Sequence, residues 1–167
     1  MLNQLIKVNR DHSSPLKYSL LIPSWNNLEY LQLCINSIRK NSSFTHQLIV
    51  LINEGSDGTL NWVESQADLD YVYSPKNIGI CYGLNACRSL VKTGFMVYIN
   101  DDMYLLPGWD TAFDNEIKRL NNNLFMLSAT MIEPVETGNP CVLVHNYGRD
   151  IETFREADLL NDVVQLS

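Results

Sequence analysis

The stretch Gln47-Leu48-Ile49-Val50-Leu51-Ile52 is apolar after its first residue, and it breaks directly into Asn53-Glu54-Gly55-Ser56-Asp57-Gly58-Thr59, a segment dense in turn formers. A strand with one wet face would alternate apolar and polar side chains. A continuous run of this length instead predicts a strand buried on both faces, as in parallel sheets covered by helices. Two further runs read the same way: Lys17-Tyr18-Ser19-Leu20-Leu21-Ile22, closed by Pro23, and Phe95-Met96-Val97-Tyr98-Ile99, which gives way to Asn100-Asp101-Asp102-Met103. Tyr71-Val72-Tyr73 is a brief additional strand that Ser74-Pro75 breaks.

Helical periodicity fills the gaps. Leu28, Leu31, Cys34, Ile35 and Ile38 recur at three- and four-residue steps behind Asn26 or Asn27 as a cap, and the pattern ends near Lys40-Asn41 with cations in its last turn. Residues 59–66 predict a short helix, 79–91 a helix with Leu84, Cys87, Leu90 and Val91 on one side, 109–120 a fourth helix and 124–129 a fifth strand. From residue 131 the pattern weakens around Pro134, Gly138 and Pro140; Cys141-Val142-Leu143-Val144 reads as a strand, and residue 151 onward as a short helix or tail. The fold class is therefore α/β: a Rossmann-like, mostly parallel sheet flanked by helices on both faces. In such sheets ligands bind beyond the carboxyl ends of the strands, where strand order reverses. The polar clusters at 23–27, 53–59 and 100–103 all follow predicted strands and so converge on one rim.

Composition narrows the function. The 167 residues are 46% hydrophobic and 19% charged, ordinary for a globular core, and carry a net charge of −7. The 12 Lys and Arg residues are scattered, which argues against a binder of phosphate backbones and excludes nucleic acid as the expected partner. No apolar run approaches the ~20 residues of a membrane helix, and residues 1–14 lack the apolar core of a secretory signal, so a cytoplasmic location is the expectation. Cys34, Cys81, Cys87 and Cys141 have no CxxC spacing and read as reduced, buried thiols.

Asp101 and Asp102 stand side by side at a strand end. Two carboxylates a few ångström apart repel by about 4 kcal/mol at an effective dielectric near 20, so the pair calls for a cation or hydrogen-bond donors nearby; a solvated turn pair is the plainer alternative. His12, His46 and His145 share no metal-ligand spacing, and no Walker loop, G-x-S-x-G or zinc pattern is present.

Taken in order, these segments resemble the nucleotide-binding half of a family 2 glycosyltransferase with the GT-A fold. The matching text is Leu21-Ile22-Pro23-Ser24-Trp25-Asn26, then the turn segment 53–59 against the family's acidic "DDGSxDGT", then Asn77-Ile78-Gly79 with Asn85 against "NxGxxxxxN", then Asn100-Asp101-Asp102 with Pro107-Gly108-Trp109 for the DXD region. The resemblance covers residues 17–130. It implies a polar lead-in at 1–16, a nucleotide-sugar-binding core at 17–130 and an incomplete acceptor-side segment at 131–167.

The resemblance also assigns roles. Pro23, Trp25, Asn26, Glu54, Asn77, Gly79, Asn100 and Asp101 line the nucleotide site, and Asp102 is the metal ligand, for Mg²⁺ or Mn²⁺. Trp25 would stack on the base, its alternative being a core or lid aromatic. Glu54 would accept from the base or ribose, with Asn53 replacing the family's first Asp. Asp57 reads as a turn and helix-cap residue. Asn77 and Gly79 shape a loop near the ligand, or simply open a helix. Asn100 replaces the first acid of the DXD motif, and Asp102 favours a hard cation. His145 could add a ligand, but a lone His is more often structural.

The implied activity is metal-dependent transfer of a sugar from a nucleotide diphosphate sugar to a hydroxyl acceptor on a glycan, lipid or protein, with inversion. No "ED" pair supplies a general base; Glu133, Glu136, Asp150 and Asp158 lack a motif. The rival reading is a non-catalytic nucleotide-sugar-binding or partner module that has lost its acceptor half, able to form a homodimer through an exposed sheet edge. A nucleotidyltransferase would need a basic, Gly-rich loop after the first strand, and Pro23-Ser24-Trp25-Asn26 offers none.

Overall fold

The computed structural model describes residues 5–166; residues 1–4 of the polar lead-in and Ser167 lie outside the described residues. The chain divides into two compact units, Met1–Pro107 and Gly108–Ser167.

The first unit contains β1 (Ile6–Val8), β2 (Ser19–Trp25), α1 (Leu28–Asn41), β3 (Gln47–Asn53), α2 (Thr59–Ser65), β4 (Leu69–Ser74), α3 (Ile80–Cys87), a 3₁₀ turn at Arg88–Leu90, and β5 (Met96–Tyr98). Its five-stranded sheet has the order β1-β4-β3-β2-β5. The last four strands in that order run parallel and β1 is antiparallel on β4. The continuous apolar runs explain the layers. Ile49 and Leu51 face one way from β3 and Val50 and Ile52 the other, and all four are fully buried, so helices must cover both faces. On one face Leu21, Ile49, Leu51 and Val72 form a core with Cys87 and Leu90. Gly83 lets α3 close on the sheet there, since a Cβ at that position would stand 2.1 Å from a Leu51 methyl.

Strand order reverses between β2 and β5: the chain steps outward from β2 through β3 to β4, then returns to the other side of β2. That switch point places the ends of β2 and β5 around one crevice. The register brings Trp25 beside Asn53 and Asn53 beside Ser74, so three strands end level.

Three sequence expectations shift. Pro23 does not close its strand; β2 runs two residues further. Ser19 N–H donates to Phe95 and Ile99 N–H donates to the Leu21 carbonyl, so odd-numbered residues of β2 face β5. The missing N–H of Pro23 therefore falls where β5 has already ended at Tyr98, and no ladder bond is lost. Residues 124–129 form no strand: Leu124 and Met126 are 94% and 96% exposed, and an apolar run with no partner ladder has nothing to offset the entropy of extending it. Within the polar lead-in, residues 6–8 form the edge strand β1.

At the amino rim of the sheet, Gln47 and Asp70 are fully buried and satisfied. Asp70 accepts from Arg10 N–H at 2.6 Å, Gln47 Nε2 at 2.5 Å and His12 Nε2 at 3.2 Å. Gln47 also donates to the Leu90 carbonyl and accepts from Ser19 Oγ and Lys92 N–H.

The second unit holds α4 (Trp109–Leu120), a parallel pair β6 (Met131–Glu133) and β7 (Val142–Val144), and α5 (Glu156–Leu166). Tyr147 Oη donates to Asp162 at 3.0 Å, and Arg155 Nη2 to the Asn146 carbonyl at 2.5 Å. Among the described residues no helix is long and apolar enough to cross a membrane. All four cysteines are free; Cys34 and Cys87 are buried as expected, whereas Cys81 and Cys141 are exposed.

Candidate functional site

Beyond the level ends of β2 and β3 the backbone turns sharply, and the turns are made by side chains rather than by glycine alone. Asn26 and Glu54 both sit in the left-handed region, at φ +48° and +64°. Asn tolerates that conformation; for Glu it costs of order 1 kcal/mol, which the surrounding contacts must hold in place. The turn carries Glu54 back toward β2, where Oε2 accepts from the Trp25 indole N–H at 3.0 Å and the Asn26 amide at 3.1 Å. Asn26 Oδ1 in turn accepts from Ser56 N–H at 2.9 Å.

The indole bond, with smaller help from Asn77 N–H and the Asn26 amide, holds the Glu54 carboxyl below the ordinary glutamate range against a weaker opposing effect of desolvation. Glu54 is thus an acceptor fixed as an anion, and Trp25 remains 57% exposed with its N–H spent. Asn53, 5% exposed, reaches the next loop by accepting from Ile78 N–H at 3.1 Å, and Asn77 Oδ1 accepts from Gly79 N–H at 2.8 Å. Gly79 has φ +75° and open space around it, so the backbone there is free for close approach.

Asp57 ties the turn to two helices. Burial alone would raise its carboxyl, yet bonds from Thr59 Oγ1 at 2.6 Å, Leu28 N–H at 2.8 Å and Thr59 N–H at 3.1 Å outweigh it, and the group lies below the usual aspartate range. The helix caps expected of Asn26 or Asn27 are therefore absent; the cap of α1 comes from Asp57 instead.

Beyond β5 the acids part in character. Asp102 is exposed. Asp101 is half-buried, and burial pushes its carboxyl up, with Asp102 adding to the rise, while Ser24 and Asn27 beside it favour the ionised form. Ser24, 3% exposed, stands close enough for that without completing a hydrogen bond of good geometry. Asn100 Oδ1 is engaged by the Tyr98 hydroxyl. Under the loop, burial and the neighbouring Asp101 and Asp102 push the Cys34 thiol up to about 12, so it is inert as a nucleophile.

The structure therefore brings Trp25, Asn26, Glu54 and Asn77 into one hydrogen-bonded cluster, and the end of β2 joins this cluster to the acid loop: Ser24 lies beside Asp101 while its neighbour Trp25 binds Glu54. Pro23 is part of the strand, and its side chain carries no polar group. His145 belongs to the second unit, where its ring stacks on Tyr147 at 6.3 Å. Asp150 and Asp158 are occupied locally by Thr153 and Arg155. An open depression of about 380 Å³ in the second unit, lined by Tyr147, Arg155 and Asp162 among others, contains none of the motif residues.

Asp101 and Asp102 offer hard oxygen donors, and among the described residues no cluster of three His, Cys, Asp or Glu completes a closed metal cage. This donor set fits a cation that takes its remaining oxygens from a ligand and water, as Mg²⁺ does, and does not fit a structural metal.

A sequence model of the family described as "Glycosyl transferase family 2" matches residues 19–161. The chain belongs to that family. No curated protein sequence matches it. Solved structures show the same fold: S. aureus TarS 1–349 in complex with UDP-GlcNAc matches with TM-score 0.57 and 19% identity over 70% of this chain and 38% of that one. The mannosyltransferase PcManGT from Pyrobaculum calidifontis, in complex with GDP-Man and Mn²⁺, matches with TM-score 0.56 and 17% identity over 76% of this chain and 39% of that one. This family 2 chain thus spans under two fifths of the length of those proteins.

In the sequence Asn27 reads only as a helix cap, Ser24 only as part of the motif at 21–26 and Asn53 only as the replacement of an acid; the structure sets Ser24 and Asn27 beside Asp101 and joins Asn53 to the next loop. The Asn53 contact with Ile78 needs the strand register to be seen.

Proposed function

We propose that this chain binds a nucleotide diphosphate sugar at the switch point of its sheet and transfers the sugar to a hydroxyl acceptor with inversion. The observation that carries this reading is the Trp25–Glu54 hydrogen bond, which fixes an exposed indole face and an anionic acceptor together within a family 2 chain. A base stacked on Trp25 would bring a ring N–H toward Glu54, which suits uracil, thymine and guanine and disfavours bases with no such donor. Asn77 and Gly79 border the same cluster. Asp102, with Asp101 beside it, would hold Mg²⁺ or Mn²⁺, which when bound stabilises the charge of the departing diphosphate. Asn100 would serve the ribose or a bound water. The general base is not assigned to any residue.

Calorimetry with UDP, GDP and dTDP, each with and without Mn²⁺, tests the reading. Binding of one diphosphate that strengthens with Mn²⁺, and loses that increment in Asp102→Ala, supports it; absence of any diphosphate binding defeats it. A second reading, a nucleotide-sugar-binding module without transferase activity, draws on Asn100 at the first acidic position with its amide oxygen already engaged by Tyr98. Release of free sugar or transfer from the matching donor separates the two.

A further inference from the structure

The acid loop after β5 is held by side chains of a different element. Cys34, Ser37 and Asn41 follow one another at steps of three and four along α1, so they form a single stripe of that helix. Residues 34 and 37 are buried within a helix whose other buried positions are mostly apolar, and Asn41 is 8% exposed. Each reaches the loop. Cys34 Sγ lies 3.7 Å from the Asn100 carbonyl, Ser37 Oγ accepts from Leu105 N–H at 3.0 Å, and Asn41 Nδ2 donates to the Leu105 carbonyl at 2.7 Å and to Tyr104 Oη at 3.2 Å.

The orientation of the Ser37 hydroxyl follows from its own bond: it donates to the Cys34 carbonyl at 2.7 Å, which turns a lone pair toward Leu105. Asn41 spends both hydrogens of its amide on the loop. The Leu105 backbone is therefore gripped on both sides, at its N–H and at its C=O, by two residues one helical turn apart, and Asn100 is touched from the turn before. Asp101 and Asp102 lie between these two attachments. Within the loop Met103 N–H donates to the Asn100 carbonyl at 3.3 Å, the Tyr98 hydroxyl engages Asn100 Oδ1, and Ser24 and Asn27 stand beside the Asp101 carboxylate, while the α1 stripe anchors the loop's backbone at both ends.

From this we infer that Ser37 and Asn41 are positioning residues for the carboxylate pair: they fix where Asp101 and Asp102 face, and so set the affinity for the cation and for the diphosphate it would bridge. The inference rests on the functional reading above for its ligand, and on the hydrogen bonds alone for the attachment. Both residues are buried beneath the loop. Partners one shell removed from a metal change its affinity by about 10- to 100-fold when lost, because they decide ligand orientation.

The test uses the full chain and three variants, Ser37→Ala, Asn41→Ala and Asn41→Asp, the last nearly isosteric but unable to donate. Amide hydrogen exchange without ligand is read first. Leu105 N–H is expected to exchange about tenfold faster in Ser37→Ala, as expected for loss of one hydrogen bond, while Ile49 in the core stays as protected as in wild type. Diphosphate binding is read second: in Asn41→Ala and Asn41→Asp the Mn²⁺-dependent increment should fall about tenfold, and the affinity measured without Mn²⁺ should stay unchanged. Unchanged exchange at Leu105 overturns the inference. So does an equal fall in affinity with and without Mn²⁺, which would mark a general loss of structure, or an Asn41→Asp chain that behaves as wild type. If wild type binds no diphosphate at all, the functional reading fails and takes the cation part with it, while the exchange rates still decide whether α1 holds the loop.

Discussion

Trp25 offers a ligand its ring face and little else, because its indole N–H is bound to Glu54. A face can stack on any base, so this residue would supply affinity while Glu54 supplies choice. Stacking on an aromatic side chain is worth about 1–3 kcal/mol per base, roughly ten- to a hundredfold in affinity. Trp25→Ala is accordingly expected to weaken nucleotide diphosphate binding by that factor in calorimetry without Mn²⁺, and Trp25→Phe to recover part of it. Equal affinity in the alanine variant would show that the base lies elsewhere. Glu54 carries the other half of the argument, since a left-handed glutamate is a local cost held by its surroundings, and such costs gather where a side chain must face a ligand.

Asp57 shows how one residue can join elements. One carboxylate oxygen serves the first turn of α1 and the other serves α2, so Asp57→Ala removes two caps, each worth about 0.5–2 kcal/mol. Its folded-state carboxyl lies below the unfolded aspartate value of about 3.9, so its stabilisation is complete above that value and fades as pH falls through the lower folded one. Thermal unfolding should therefore separate wild type from Asp57→Ala clearly at pH 7 and progressively less below pH 4; a gap that widens in acid would contradict the cap. Gly83 gives a second case. Alanine is the better helix former by about 1 kcal/mol, yet a Cβ there meets the fully buried Leu51. Crowding a packed core costs about 1–3 kcal/mol, so Gly83→Ala should lower the melting temperature and Leu51→Val in the same chain should restore part of the loss.

These contacts also mark what could be read from the chain beforehand. Apolar runs and three-four spacing mark β2 to β5 and the helices of the first unit because each signal is local, whereas β1, three residues in a polar lead-in, carries no such run; the Asn100, Asp101 and Asp102 loop is visible because it follows one. The continuation of β2 through Pro23 depended on where β5 stops, the exposure of residues 124–129 on the absence of a partner strand, and the grip of Ser37 and Asn41 on a pairing across more than sixty residues. None of these leaves a mark within a short window of sequence.

At the scale of the first unit the sheet has two polar rims with opposite designs. At the amino rim the polar groups are buried and matched: Asp70 takes three donors, and Gln47 satisfies every hydrogen and lone pair it needs against Asp70, Leu90, Ser19 and Lys92. At the carboxyl rim Asp102 is exposed, Glu54 and Asp101 are half-buried, and Glu54 holds a strained left-handed backbone. A buried, satisfied network contributes to stability, and an exposed, strained one is free to meet a ligand. The two rims should therefore respond to mutation in opposite ways. Asp70→Ala leaves the Arg10 backbone N–H, the His12 ring and the Gln47 amide without their acceptor, and each donor so orphaned costs about 1–3 kcal/mol, together a fall of roughly 10 °C in melting temperature for a chain of this size. Below that transition, its diphosphate affinity should match wild type. Asp102→Ala, which removes an exposed charge repelled by its neighbour, should melt at or slightly above the wild-type temperature while losing the Mn²⁺-dependent part of binding. Scanning calorimetry paired with titration of both variants decides the matter: a Asp70 variant that folds normally but loses nucleotide, or an Asp102 variant that unfolds early, would place the working edge of this sheet at the wrong end.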